Sequence, residues 1–129
     1  MKKVSIIIPV YNEEKTIIQI LKKINLEKKK IKNFVFEIIV INDNSTDKTK
    51  KLLDKEKNLY DKFHTHNKNY GKGEAIKSGL NICTGEYVLF QDADLEYDVN
   101  DYSKILFPIS TYSADIVMGS RFKGSKVTR

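Results

Sequence analysis

The chain has 129 residues, 40% of them hydrophobic and 31% charged, with a formal net charge of +6. That length and balance suit one folded domain with a modest core and argue against disorder. No apolar stretch approaches the length of a membrane span, no signal peptide precedes the first strand-like segment, and the lone Cys83 excludes an internal disulfide, leaving the cytosol as the default compartment.

Val4 to Pro9 is a short β-rich run that Pro9 should break. A helix is expected from Glu14 to Lys30, with Ile17, Leu21 and Ile24 at helical spacing and Ile18 and Ile20 widening the stripe. The lysine run from Lys28 to Lys32 suits the negative end of its dipole. Phe36 to Ile41 is nearly all apolar, as a strand covered on both faces should be. Asn42 to Asp47 reads as a turn into a polar helix that runs to Lys57, with Leu52 and Leu53 inward. Lys62 to His66 is a weaker third strand, and Asn67 to Gly73 a polar loop. Ala75, Ile76, Gly79, Leu80 and Cys83 share one face of the next helix, which Gly85 is placed to end. Glu86 to Gln91 is a strand, Asp98 to Ile109 a helix with a capping-box start, and Asp115 to Gly119 a last strand before a loose polar tail.

This alternation of strands and helices predicts one α/β domain over 1–129, with a mostly parallel sheet and helices on both faces. Loops that follow parallel strands gather at one sheet edge, where ligands bind in such folds. Asp92-Ala93-Asp94 ends the apolar run Tyr87 to Phe90. Unpaired carboxylates are costly in a core, so these belong at the strand's open end, where alternation points both acids the same way. Mg²⁺ or Mn²⁺ suits such oxygen ligands. The same edge gathers Pro9-Val10-Tyr11-Asn12-Glu13 and Asn42-Asp43-Asn44-Ser45, a makeup that fits a nucleotide with a metal.

The segments VSIIIPVYNEEKTI, EIIVINDNSTDKT, NYGKGEAIKSG, GEYVLFQDADLEYD and DIVMGSRF resemble, in order and spacing, family-2 glycosyltransferases. Within them the chain is most similar to the branch containing dolichyl-phosphate mannosyltransferase and related polyprenyl-phosphate sugar transferases. The resemblance implies a GT-A fold, a Rossmann-like three-layer sandwich. It also implies that Pro9, Tyr11 and Glu13 line the nucleotide pocket and that Ile41 and Asp43 form its base-binding strand end. Asp92, Ala93 and Asp94 would gather the metal and the donor's ribose and diphosphate. Glu96 would be a further metal ligand, and Lys72 and Arg121 would meet phosphate.

Several of these residues have a plainer alternative. Tyr11 packs on the sheet edge, Asp43 forms an Asx-turn or cap, and Asp94 and Glu96 cap the next helix. Lys72 and Arg121 are surface cations, with Gly73 closely packed beside the former. His64 and His66 alternate on a strand-like segment with no third ligand nearby, which reads as edge or surface histidines. Cys83 reads as a small core residue.

The sequence departs from its relatives at Asn42, where many carry Asp, and at Val99, where Pro is common. Relatives also continue past the GSRF segment, so the chain is expected to be the N-terminal part of a longer enzyme.

The expected activity is inverting transfer from a nucleotide sugar, GDP-mannose or a UDP-sugar, to a polyprenyl or dolichyl phosphate at the cytosolic membrane face. Alternatives are transfer to a saccharide hydroxyl and a nucleotide-sugar-binding module without turnover. Nucleic acid is disfavoured, because no aromatic-basic interleaving accompanies the +6 charge and the loop-bearing edge is acidic.

Overall fold

A computed structural model describes residues 1–94, 102, 116–117 and 126–127. Strands β1 (Lys2–Val10), β2 (Phe34–Asn42), β3 (Lys62–Thr65) and β4 (Tyr87–Phe90) form one parallel sheet in the order β3-β2-β1-β4. Helices α1 (Ile17–Lys30), α2 (Thr49–Lys55) and α3 (Lys72–Ile82) connect them, with a 3₁₀ turn at Lys57–Leu59.

Strand alternation divides the core. Val4, Ile6, Ile8 and Val10 of β1 pack with Ile38 and Val40 of β2 against Ile17, Ile20, Leu21 and Ile24 of α1, Leu53 of α2 and Tyr102. Ile7, Ile39 and Ile41 face the other way, with Val88 and with Ala75 of α3. Helices thus cover both faces, which is the three-layer arrangement expected of near-continuous apolar strands.

Several boundaries differ from the sequence expectations. β1 runs through Pro9 to Val10, because Pro9 pairs with Ile41 in register while Val10 O accepts the Asp43 N–H at 2.9 Å. The missing donor of Pro9 matters on the β4 side instead. Gln91 N–H reaches Ile7 O at 3.0 Å, and the next rung would need an N–H that proline lacks. Pairing with β4 accordingly stops at Ile7 and Phe90.

α1 starts at Ile17 rather than Glu14. The N–H groups of Glu13 and Glu14 bond to Thr49 Oγ1 at 3.0 Å and Asp47 Oδ2 at 3.2 Å, so helical bonding begins with Ile17 N–H to Glu13 O at 2.9 Å. α2 stops at Lys55, before the 3₁₀ turn.

Gly85 does not end α3; Cys83 does. A Cβ on Gly85 would lie 2.7 Å from the Ser5 backbone nitrogen, so this glycine lets the α3–β4 connection approach β1. Leu80 is 43% exposed, so the inner face of α3 is narrower than its periodicity suggests.

The tail is not wholly loose. β5 (Ile116–Val117) pairs antiparallel with β6 (Lys126–Val127). Of the helix expected over 98–109, Tyr102 is helical and fully buried, and the other positions lie outside the described residues.

Candidate active site

From β1 the chain steps outward through β2 to β3, then returns to the other side of β1 as β4. The strand order therefore reverses between β1 and β4, which opens a crevice at their C-terminal ends. The lost Pro9 rung lets the chain after Gln91 leave β1 at that point. A cleft of about 210 Å³ lies there, lined by Pro9, Val10, Tyr11, Glu13, Asp43, Lys72, Ala75, Asp92, Ala93 and Asp94.

Eight of the expected site residues thus meet in one place. Ile41 does not join them; its side chain is fully buried among Ile7, Ile39, Ala75 and Val88. Glu96 and Arg121 lie outside the described residues. Val10 and Ala75 line the cleft without having been singled out as anything but apolar residues.

The three strand-end loops are tied to one another. Asn12, at φ 53°, takes the left-handed conformation that asparagine tolerates. Its N–H donates to Ser45 Oγ at 2.9 Å, and its Oδ1 accepts from Thr46 N–H at 2.8 Å. The Thr16 hydroxyl donates to Ala93 O at 2.6 Å, binding the start of α1 to the paired acids. Behind them Tyr102 donates to Gln91 Oε1 at 2.8 Å, and Gln91 Nε2 donates to Asp92 O at 3.0 Å. Burial raises the Tyr102 phenol well above its usual range, and the Glu27 charge adds to it, so the hydroxyl stays a donor.

Asp43 is the most heavily bonded acid of the cleft. Its Oδ1 accepts from His66 Nδ1 at 2.8 Å and Tyr70 N–H at 2.9 Å, and its Oδ2 from Gly71 N–H at 2.8 Å. Burial pushes its pKa up, but the His66, Tyr70 and Gly71 donors outweigh that and hold it below the usual carboxylate range. The bonds pin the loop before α3. Gly71 turns that loop at φ 97°, a conformation glycine takes without strain. Gly73 is exposed in the first turn of α3, and a Cβ there would meet nothing within 4 Å, so close packing is not its role.

His66 is a correction to the sequence reading. It is 7% exposed and held from both sides, its Nε2 lying 2.7 Å from Ser78 Oγ of α3. Alternation identified the residue but not its burial, which depends on a loop folding over it. His64 is exposed, as expected. Asn42 is turned to Ser45, whose hydroxyl donates to its Oδ1 at 2.6 Å, and of this strand end it is Asp43 that lines the cleft.

At the other end of the cleft Lys72 Nζ pairs with the Asp92 carboxylate. Asp94 is exposed and lines the same space. Among the described residues that line the cleft, four carboxylates, those of Glu13, Asp43, Asp92 and Asp94, face one ammonium, a balance that favours a cation despite the positive net charge. Among the described residues no three His, Cys, Asp or Glu side chains converge on a metal-sized point. Two neighbouring carboxylates nonetheless fit Mg²⁺ or Mn²⁺, which such sites hold through one or two acids plus substrate phosphates. No helix among the described residues is long and apolar enough to cross a membrane.

Comparison with known proteins agrees with this geometry. The family model described as glycosyl transferase family 2 matches residues 5–129. A dolichyl-phosphate beta-glucosyltransferase of Trichomonas vaginalis is 34% identical over 97% of the chain and 42% of its own length. An undecaprenyl-phosphate 4-deoxy-4-formamido-L-arabinose transferase of Proteus mirabilis is 36% identical over 74% of the chain and 30% of its own. The chain therefore spans less than half the length of these two relatives. Among solved structures, S. aureus TarS 1-349 with UDP-GlcNAc superposes with a TM-score of 0.70 at 30% identity, over 88% of this chain and 32% of that one. The mannosyltransferase PcManGT of Pyrobaculum calidifontis with GDP-Man and Mn²⁺ gives 0.62 at 27% identity, over 78% and 30%.

Proposed function

The chain belongs to glycosyl transferase family 2 and has its GT-A architecture, and on that premise we propose that it binds a nucleotide sugar at the β1–β4 cleft and transfers the sugar, with inversion, to a polyprenyl or dolichyl phosphate. The observation that carries the reading is the meeting of Tyr11, Asp43, Lys72, Asp92 and Asp94 in one cleft at the sheet's switch point. Relatives named for dolichyl-phosphate and undecaprenyl-phosphate chemistry support the acceptor class. PcManGT, solved with GDP-Man and Mn²⁺, supports the metal.

Each described residue has a task in this reading. Tyr11, 43% exposed, offers a ring face for the base. Asp43 accepts from the nucleoside and keeps the loop before α3 in place. Asp92 and Asp94 would hold Mg²⁺ or Mn²⁺, which supplies charge stabilisation to the leaving diphosphate. Lys72, which pairs with Asp92, is placed to offer its ammonium to a donor phosphate. A phosphate acceptor is already anionic near neutral pH, so alignment and leaving-group stabilisation suffice without a strong base. We place Glu96 and Arg121 at the metal and at phosphate, and the site as a whole within a single 1–129 unit working at the cytosolic membrane face.

The test is a sugar-transfer assay comparing a polyprenyl phosphate with a saccharide acceptor in the presence of Mn²⁺. Transfer to the lipid phosphate is expected. Transfer to the saccharide hydroxyl alone would overturn the acceptor assignment.

A further inference from the structure

We propose that Thr16 is a positioning residue for the paired acids. By holding the Ala93 carbonyl, its hydroxyl fixes the directions in which Asp92 and Asp94 present their carboxylates to a divalent cation. This rests on the metal reading above and adds the residue that aims the ligands. The backbone of the acids lies past the sheet ladder. Pairing between β1 and β4 ends at Ile7 and Phe90, and Pro9 has no N–H for a further rung. Side chains take over from there. Gln91 Nε2 donates to Asp92 O at 3.0 Å, and Thr16 Oγ1 donates to Ala93 O at 2.6 Å. Those carbonyls belong to the two peptide units that join Asp92 to Asp94. Each peptide unit is rigid, so fixing both planes fixes where the two acids point.

The Thr16 hydroxyl forgoes a commoner role to make this bond. A threonine at a helix N-cap ordinarily accepts from an amide of the first turn. Thr16 is the N-cap of α1, and its side chain makes no such bond. A hydroxyl has one hydrogen to donate, and its contact with Ala93 O is shorter than the 3.1 Å to Glu13 Oε2. Thr16 Oγ1 thus stands between an acid of the loop after β1 and the backbone of the loop after β4. Its base is firm, because Ile17, Ile20, Leu21 and Ile24 bury α1 against the sheet. Outer hydrogen bonds that orient metal ligands are worth about tenfold to a hundredfold in metal affinity.

The test compares the parent chain with Thr16→Val, which keeps the shape without the hydroxyl, and Thr16→Ser, which keeps the hydroxyl. Each is titrated calorimetrically with UDP and with GDP in saturating Mn²⁺, and the NMR order parameter of the Asp94 amide is measured without metal. Thr16→Val should weaken Mn²⁺-dependent binding of the better nucleotide at least about tenfold, and Thr16→Ser should stay within about twofold of the parent. The Asp94 N–H shares a peptide unit with Ala93 O, and should lose order in Thr16→Val but not in Thr16→Ser. A Thr16→Val protein that matches the parent in either measurement, or a Thr16→Ser protein that loses as much as Thr16→Val, would overturn the assignment while leaving the metal site standing. Absence of Mn²⁺-dependent binding by the parent itself would overturn the metal reading, and the role of Thr16 with it.

Discussion

Two buried carboxylates show how partners decide the state of an acid. Glu37, 5% exposed, accepts from Ser5 Oγ at 2.7 Å, Thr84 N–H and Thr84 Oγ1 at 2.9 Å, and pairs with Lys62 at 3.0 Å. Burial raises its pKa, but the donors prevail and bring it from 4.5 down to about 2. A pKa lowered by folding means stability that is present above 4.5 and is lost as pH falls toward 2. Glu37→Gln should therefore cost about 1–3 kcal/mol at neutral pH and flatten the loss of stability across that acid window, as read from urea melts. A variant that loses as much stability on acidification as the parent would move the acid lability elsewhere. Asp43 follows the same rule at the other end of the sheet. The sequence placed Asp43 at the site because any acid ending an apolar strand belongs at the open edge. It marked His66 only as an edge or surface histidine, because a polar residue's burial is decided by which distant loop covers it.

The turn after β4 depends on residues at a distance from it. Tyr102→Phe removes the donor to Gln91 Oε1 in a fully buried setting and should destabilise by about 1–2 kcal/mol. It should also weaken metal-dependent nucleotide binding, since Gln91 Nε2 holds the Asp92 carbonyl. Unchanged binding with lowered stability would confine Tyr102 to the core. Glycines make a second contrast. Gly85→Ala would press a methyl to 2.7 Å of the Ser5 backbone nitrogen and should cost about 1–3 kcal/mol. Gly73→Ala, in open space within α3, should be neutral or stabilising by up to about 1 kcal/mol. Thermal melts of the two variants check the order, and a more damaging Gly73→Ala would contradict the packing described for the α3–β4 connection. The element types were legible because apolar runs and helical spacing are local signals. The start of α1 was not, because Asp47 and Thr49, more than thirty positions away, claim the amides of Glu13 and Glu14. Nor was β6, two residues long in a polar tail.

At the scale of the whole molecule, charge is divided. Lysines give the chain its +6, while the cleft gathers Glu13, Asp43, Asp92 and Asp94. A nucleotide diphosphate meets that acidic edge favourably only with a divalent cation between them. The sheet order supplies the place, since strands departing on opposite sides of β1 leave one crevice at their ends. On the proposed reading this crevice is a metal-dependent nucleotide site. Its most direct test is calorimetric titration of UDP into the chain with and without Mn²⁺, repeated on Asp94→Ala. Binding should require Mn²⁺ in the parent chain and fall at least about a hundredfold in the variant, which loses one of the two carboxylates proposed to hold the cation. Equal affinity in the two proteins with Mn²⁺ present would contradict the account.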